Sequence, residues 1–169
     1  MKANTLTILA LFSLGLTTTL PAQAQTAASA TQAVYQDAQR GYCTVTPVGE
    51  MTSLSLNSNR RLVLHLVDGD RDPEIGCNYG SGTGHFRISD VVKTGNRWRV
   101  ADADVLERIQ SSGDEGINAR FINRIALGRN GTLLIEAQEM SNTGNAPGQA
   151  YRYTVRLSDW KLIQRQAIR

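Results

Sequence analysis

Alternate carboxylates in Asp68-Gly69-Asp70-Arg71-Asp72-Pro73-Glu74 are the sharpest local chemistry in this chain. Asp68, Asp70 and Asp72 occupy every second position, so in an extended turn they can converge on a hard cation such as Ca²⁺, which takes roughly six to eight oxygen ligands. The calcium loop of helix–loop–helix proteins is not matched. Pro73 stands where that loop needs glycine, and Tyr79 where it needs glutamate. The competing reading is a solvated turn at the end of a strand, its charge partly balanced by Arg60, Arg61 and Arg71.

Two further groups could carry reactions. The loop from Gly76 to His85 is rich in glycine and contains Ser81. It lacks the P-loop lysine, and a strand pattern follows where both a phosphate loop and a serine elbow need a helix. His65 lies mid-strand and His85 at a strand start. Either could be the base of a small exported hydrolase, provided a cleft brings it beside a carboxylate. No recognised spacing supports that, and no catalytic residue is assigned.

The arginines suggest binding. Lysine occurs only at positions 2, 93 and 161, and the remaining basic residues are arginine, whose planar fork grips carboxylate and phosphate with two hydrogen bonds. Arg97 and Arg99 flank Trp98, Arg124 falls on the strand face opposite Phe121 and Ile125, and Arg152 and Arg156 alternate with tyrosines. If these strands are neighbours, Arg97, Trp98, Arg99, Arg152 and Arg156 form one stripe for an acidic protein face or an anionic cell-envelope ligand. The plain alternative is a wet sheet face, with Glu136 and Gln138 interspersed among the arginines.

These residues sit in a chain that reads as exported. Lys2, an apolar run from Leu6 to Leu20, Pro21 and Ala22-Gln23-Ala24 make up a cleavable secretory signal peptide. The run is too short and too threonine-rich to span a bilayer, and no cysteine follows the exit site. Residues 1–24 hold one of the 18 basic and none of the 15 acidic residues, leaving a net charge of about +2, too small to point to nucleic acid. The remaining length suits one domain. Cys43 and Cys77 are the only cysteines, and in a periplasmic or secreted chain they are expected to form a disulfide.

The elements that must position these groups are mostly strands. Residues 25–33 read as a flexible spacer of Ala, Ser, Thr and Gln before a domain spanning 34–169. A short amino-terminal helical segment is expected from Ala33 to Arg40, with Val34 and Ala38 on one face. From Tyr42 onward the apolar period is two: Leu54 and Leu56, then Leu62, Leu64 and Leu66, joined by the turn residues Asn57-Ser58-Asn59. Hairpins are predicted at 86–101, 121–138 and 151–166. Residues 102–110 satisfy both a helix cap, through Asp104 and Glu107, and a continuing strand. The expectation is an all-β antiparallel sandwich or small barrel of about eight strands. Its expected function is non-catalytic binding of a protein or anionic envelope ligand, inhibitor- or immunity-like, with no cofactor beyond a Ca²⁺ at the acidic turn. A small hydrolase and a calcium-stabilised envelope component are the alternatives.

Overall fold

A computed structural model describes residues 29–80, 84–110, 116–140 and 147–168; residues 1–24, where a signal peptide is expected, lie outside this range. Helix α1 (Ala30–Ala38) leads into β1 (Tyr42–Val45), a single 3-10 turn (Val48–Glu50), β2 (Thr52–Asn57), β3 (Arg60–Asp72), β4 (Gly76–Asn78), β5 (His85–Thr94) and β6 (Arg97–Asp102). Helix α2 (Val105–Gln110) precedes β7 (Ile122–Leu127), β8 (Thr132–Met140), β9 (Pro147–Arg156) and β10 (Leu162–Ala167). All strand pairs are antiparallel. The described residues thus hold ten strands in two sheets, one of six and one of four. The architecture is sandwich-like, and the sheets do not close into a barrel.

Strand β3 organises the larger sheet. It runs 13 residues and is long enough to pair with β2 and β1 along one edge and with β5 and β4 along the other. Both of its faces are covered, which explains its nearly unbroken apolar run. Leu62 and Leu64 join the main core, packed with Ile88, Ile125, Leu133, Ile135, Tyr153 and Val155. Val63 and Val67 point the opposite way, into a second cluster with Val34 of α1, Val45 and Val91. The layers are therefore helix, six-stranded sheet and four-stranded sheet.

Local chemistry sets the helix ends. Ser29 caps α1 by accepting a hydrogen bond from Gln32 N–H at 3.1 Å, so α1 begins at Ala30 and takes in residues that composition placed in the spacer. Over 102–110 the helix prevails. Asp104 Oδ1 accepts from Leu106 N–H at 3.1 Å and from Ile88 N–H at 3.3 Å, while Val105, Leu106 and Ile109 enter the core. A continued strand would leave those three apolar side chains without a common face to bury.

Candidate functional site: the outer face of the four-stranded sheet

The meander β7–β8–β9–β10 alternates as a strand with one buried face must. Ile125, Ile135, Tyr153 and Val155 point into the core, which sends Arg124, Glu136, Arg152 and Arg156 outward. In the register, Arg124 stands opposite Glu136 and Glu136 opposite Arg152. One acid thus lies between two arginines across three strands. Arg152 takes it: its Nε and Nη2 donate to Glu136 Oε1 at 3.0 and 2.7 Å. Arg156 pairs with Asp159 at 3.2 Å. Arg124, and Arg129 in the β7–β8 turn, have no ion-pair partner among the described residues.

The face is concave. A depression of about 250 Å³ is lined by Arg124, Ala126, Leu134, Glu136 and Arg152. A second, of about 540 Å³, is bounded by Arg129, Arg156, Thr154, Leu134 and Ile163. Leu134 belongs to both, so the two join in one groove with an apolar floor and an arginine rim. Gly128 keeps this groove open at its turn: a Cβ there would lie 2.3 Å from Thr132 Oγ1 and 3.3 Å from Leu134. Such a surface can hold a carboxylate or phosphate on guanidinium groups while covering apolar atoms beneath.

Arg152 and Arg156 therefore share this site, and Arg124 joins them. Arg97, Trp98 and Arg99 do not. They lie on β6, an edge strand of the six-stranded sheet, so the five residues do not make one stripe. Trp98 packs against the α1 cluster, with the Arg61 guanidinium 5.7 Å and the Lys93 ammonium 5.9 Å from its ring centre. Those cations use the ring that the sequence offered to a ligand.

The acidic turn is built as a hairpin. Asp68 pairs across to Thr44 of β1, Asp70 lies between Tyr42 and Asn78, and Asp72 faces Gly76. Asp72 Oδ1 accepts from Glu74 N–H at 2.7 Å and from Ile75 N–H at 3.0 Å. These bonds hold its carboxyl below the ordinary value. Among the described residues no three His, Cys, Asp or Glu side chains are grouped to hold a metal ion. Cys43 and Cys77 form the expected disulfide, 34 positions apart, with their Cα atoms 5.6 Å from each other. Ser81 lies outside the described residues.

The histidines separate. His65 is 2% exposed beneath α1, with Nδ1 3.4 Å from the Val63 carbonyl. Burial pulls its pKa down to about 4, so it is neutral at pH 7. It borders a void of about 60 Å³ together with Asp37, Tyr42, Arg87 and Ser89. His85 meets the Tyr42 ring edge-on, centre to centre 5.8 Å.

Sequence reasoning missed Arg87. Its side chain is 16% exposed and bonds Asp104, itself 7% exposed, at 3.1 Å. It also donates to Tyr42 Oη at 2.7 Å and to Glu107 at 3.2 Å. Burial raises the Asp104 carboxyl above its ordinary pKa, against the pull of Arg87 and two backbone N–H groups. The available signal was the pair Asp104 and Glu107, whose cap reading left a carboxylate free to meet an inward arginine. No family model, curated protein or solved structure matches this chain.

Proposed function

We propose that this protein is an exported, non-catalytic binding domain that holds an anionic polymer of the cell envelope on the outer face of its four-stranded sheet. One observation carries the reading: Arg124, Arg129, Arg152 and Arg156 rim a groove floored by Leu134 and Ile163, and Glu136 is the one acid lining it among the described residues. Guanidinium groups around an apolar floor suit the carboxylate or phosphate groups of a repeating chain. Arg124 and Arg152, two strands apart, are separated by about 10 Å of backbone, and Arg152 and Arg156 by about 13 Å along one strand. Spacings of that order suit successive anionic groups of an extended polymer.

The disulfide suits an oxidising compartment, and among the described residues no helix is long and apolar enough to cross a membrane. Both agree with the export reading of residues 1–24. The hydrolase reading gains nothing from His65, which is buried and touches a carbonyl rather than a carboxylate.

The test is titration of the oxidised protein with polygalacturonate and with polyphosphate at low and physiological salt. Binding should weaken as salt rises. The Arg124→Ala/Arg129→Ala double variant should bind several-fold more weakly with unchanged unfolding, since neither arginine has an ion pair among the described residues to lose. Wild-type protein that binds neither polymer would remove the proposal.

A further inference from the structure

The β3–β4 hairpin is exposed from residue 70 to residue 80, yet it is braced at four points. A three-residue ladder joins Asp70–Asp72 to Gly76–Asn78, and the Cys43–Cys77 bridge ties it to β1. The Asp72 carboxylate holds the tip by its two N–H bonds. At its base Tyr79 lies over Gly69, where a Cβ would fall 2.7 Å from the ring. Gly69 has φ +67°, so the chain bends there without a side chain to obstruct the tyrosine. This braced finger presents Ile75 at 74% exposure and Tyr79 at 60%, flanked by the three acids Asp70, Asp72 and Glu74 and by one base, Arg71, whose Nε donates to the Tyr42 carbonyl at 3.4 Å. Ordered apolar groups held out in water on a braced loop mark an interaction surface, because little entropy remains to be lost on docking.

The same molecule carries a surface of the opposite character. The groove on the four-stranded sheet is rimmed by arginine, floored by Leu134 and Ile163, and is a shallow, open depression of about 540 Å³ in its larger part, with room for one isoleucine side chain. From this complementarity of sign and shape we infer that the finger of one molecule docks into the groove of a second copy, with Ile75 over the apolar floor and Glu74 and Asp70 among the arginines. The contact joins two different surfaces, so each copy keeps one free finger and one free groove. Assembly is therefore head-to-tail, giving rings or open chains rather than a closed two-fold pair. The inference rests on the groove being the anion site of the proposed function, and it makes self-association and polymer binding mutually exclusive.

Sedimentation velocity on the oxidised, signal-free chain across a concentration series tests this. Wild-type protein should form species that grow with concentration and shrink with added salt. A finger variant, Ile75→Ser/Glu74→Lys, and a groove variant, Arg124→Glu/Arg129→Glu, alter exposed side chains only, and each alone should associate at least tenfold more weakly. Mixed in equal amounts, they should yield dimers and nothing larger, since one supplies an intact groove and the other an intact finger. Monomeric wild type at every concentration, or a mixture that stays monomeric, overturns the inference. So does a finger variant that assembles like wild type, which would assign the association to another surface. The finger variant should still bind polygalacturonate, so loss of self-association alone leaves the proposed function standing.

Discussion

Burial of His65 makes a quantitative claim about stability. Its pKa falls from 6.5 to about 4 in the folded protein because burial penalises the charged imidazolium. The groups facing it beneath α1 are Asp37, Tyr42, Arg87 and Ser89. Arg87 and His85 also disfavour the charged form, while the Val63 carbonyl and Asp37 favour it by less than burial opposes it. Because the folded pKa is the lower one, the unfolded chain takes up the proton first. Stability is complete above pH 6.5 and declines as pH falls from 6.5 towards 4, by about 1.4 kcal/mol per pH unit. The loss should reach about 2 kcal/mol at pH 5, equivalent to about 5 °C in the melting temperature of a domain this size. Asp104, with a raised pKa, pushes stability the other way, while Asp72 acts only near and below ordinary carboxylate values. Urea unfolding of the wild type and of His65→Gln at pH 7, 6 and 5 measures it. The wild type should lose about 2 kcal/mol more than the variant across that range. A variant with the wild-type slope would refute the claim that His65 is held neutral by burial.

Three other outcomes follow from the geometry. Asp104→Ala removes the partner of a buried guanidinium and the acceptor for Leu106 and Ile88 N–H, and should destabilise by about 3–5 kcal/mol in chemical unfolding. Asp104→Asn keeps the cap and should lose less. Reduction of Cys43–Cys77 should lower stability by about 4 kcal/mol if the chain-entropy account holds, and proteolysis of the reduced protein should begin in the β3–β4 finger. Millimolar Ca²⁺ should leave the melting temperature unchanged, because Asp72 Oδ1 is engaged by its own turn. A chelator-sensitive rise of several degrees would reinstate the calcium site at Asp68, Asp70 and Asp72.

Much of the local structure is legible in the residues. The Gly95, Asn130 and Gly131 turns, all with positive φ, interrupt period-two runs at the hairpins where β5 meets β6 and β7 meets β8. Strand count was harder to read. Strands β1 and β4 are only four and three residues long, too short to show alternation, and they exist because the long β3 offers edges to pair with. Trp160 is another such case. Its place after a turn suggests a strand start, but it adopts φ +59° and is buried, a strained backbone held by the core it fills.

Sequence by itself determined the class of the protein: period-two alternation, turn chemistry and a cysteine pair specify disulfide-bonded antiparallel hairpins, because those signals depend on neighbours along the chain. Only the tertiary structure decided which hairpin joined which sheet. That choice rests on which apolar faces bury one another, and no short window of residues contains it. It sent Arg97 and Arg99 to one sheet and Arg152 and Arg156 to the other, set Arg124 beside Arg152, and buried Arg87 against Asp104. It also carried β3 past the body of the sheet, so that the acidic run became the flank of a braced finger.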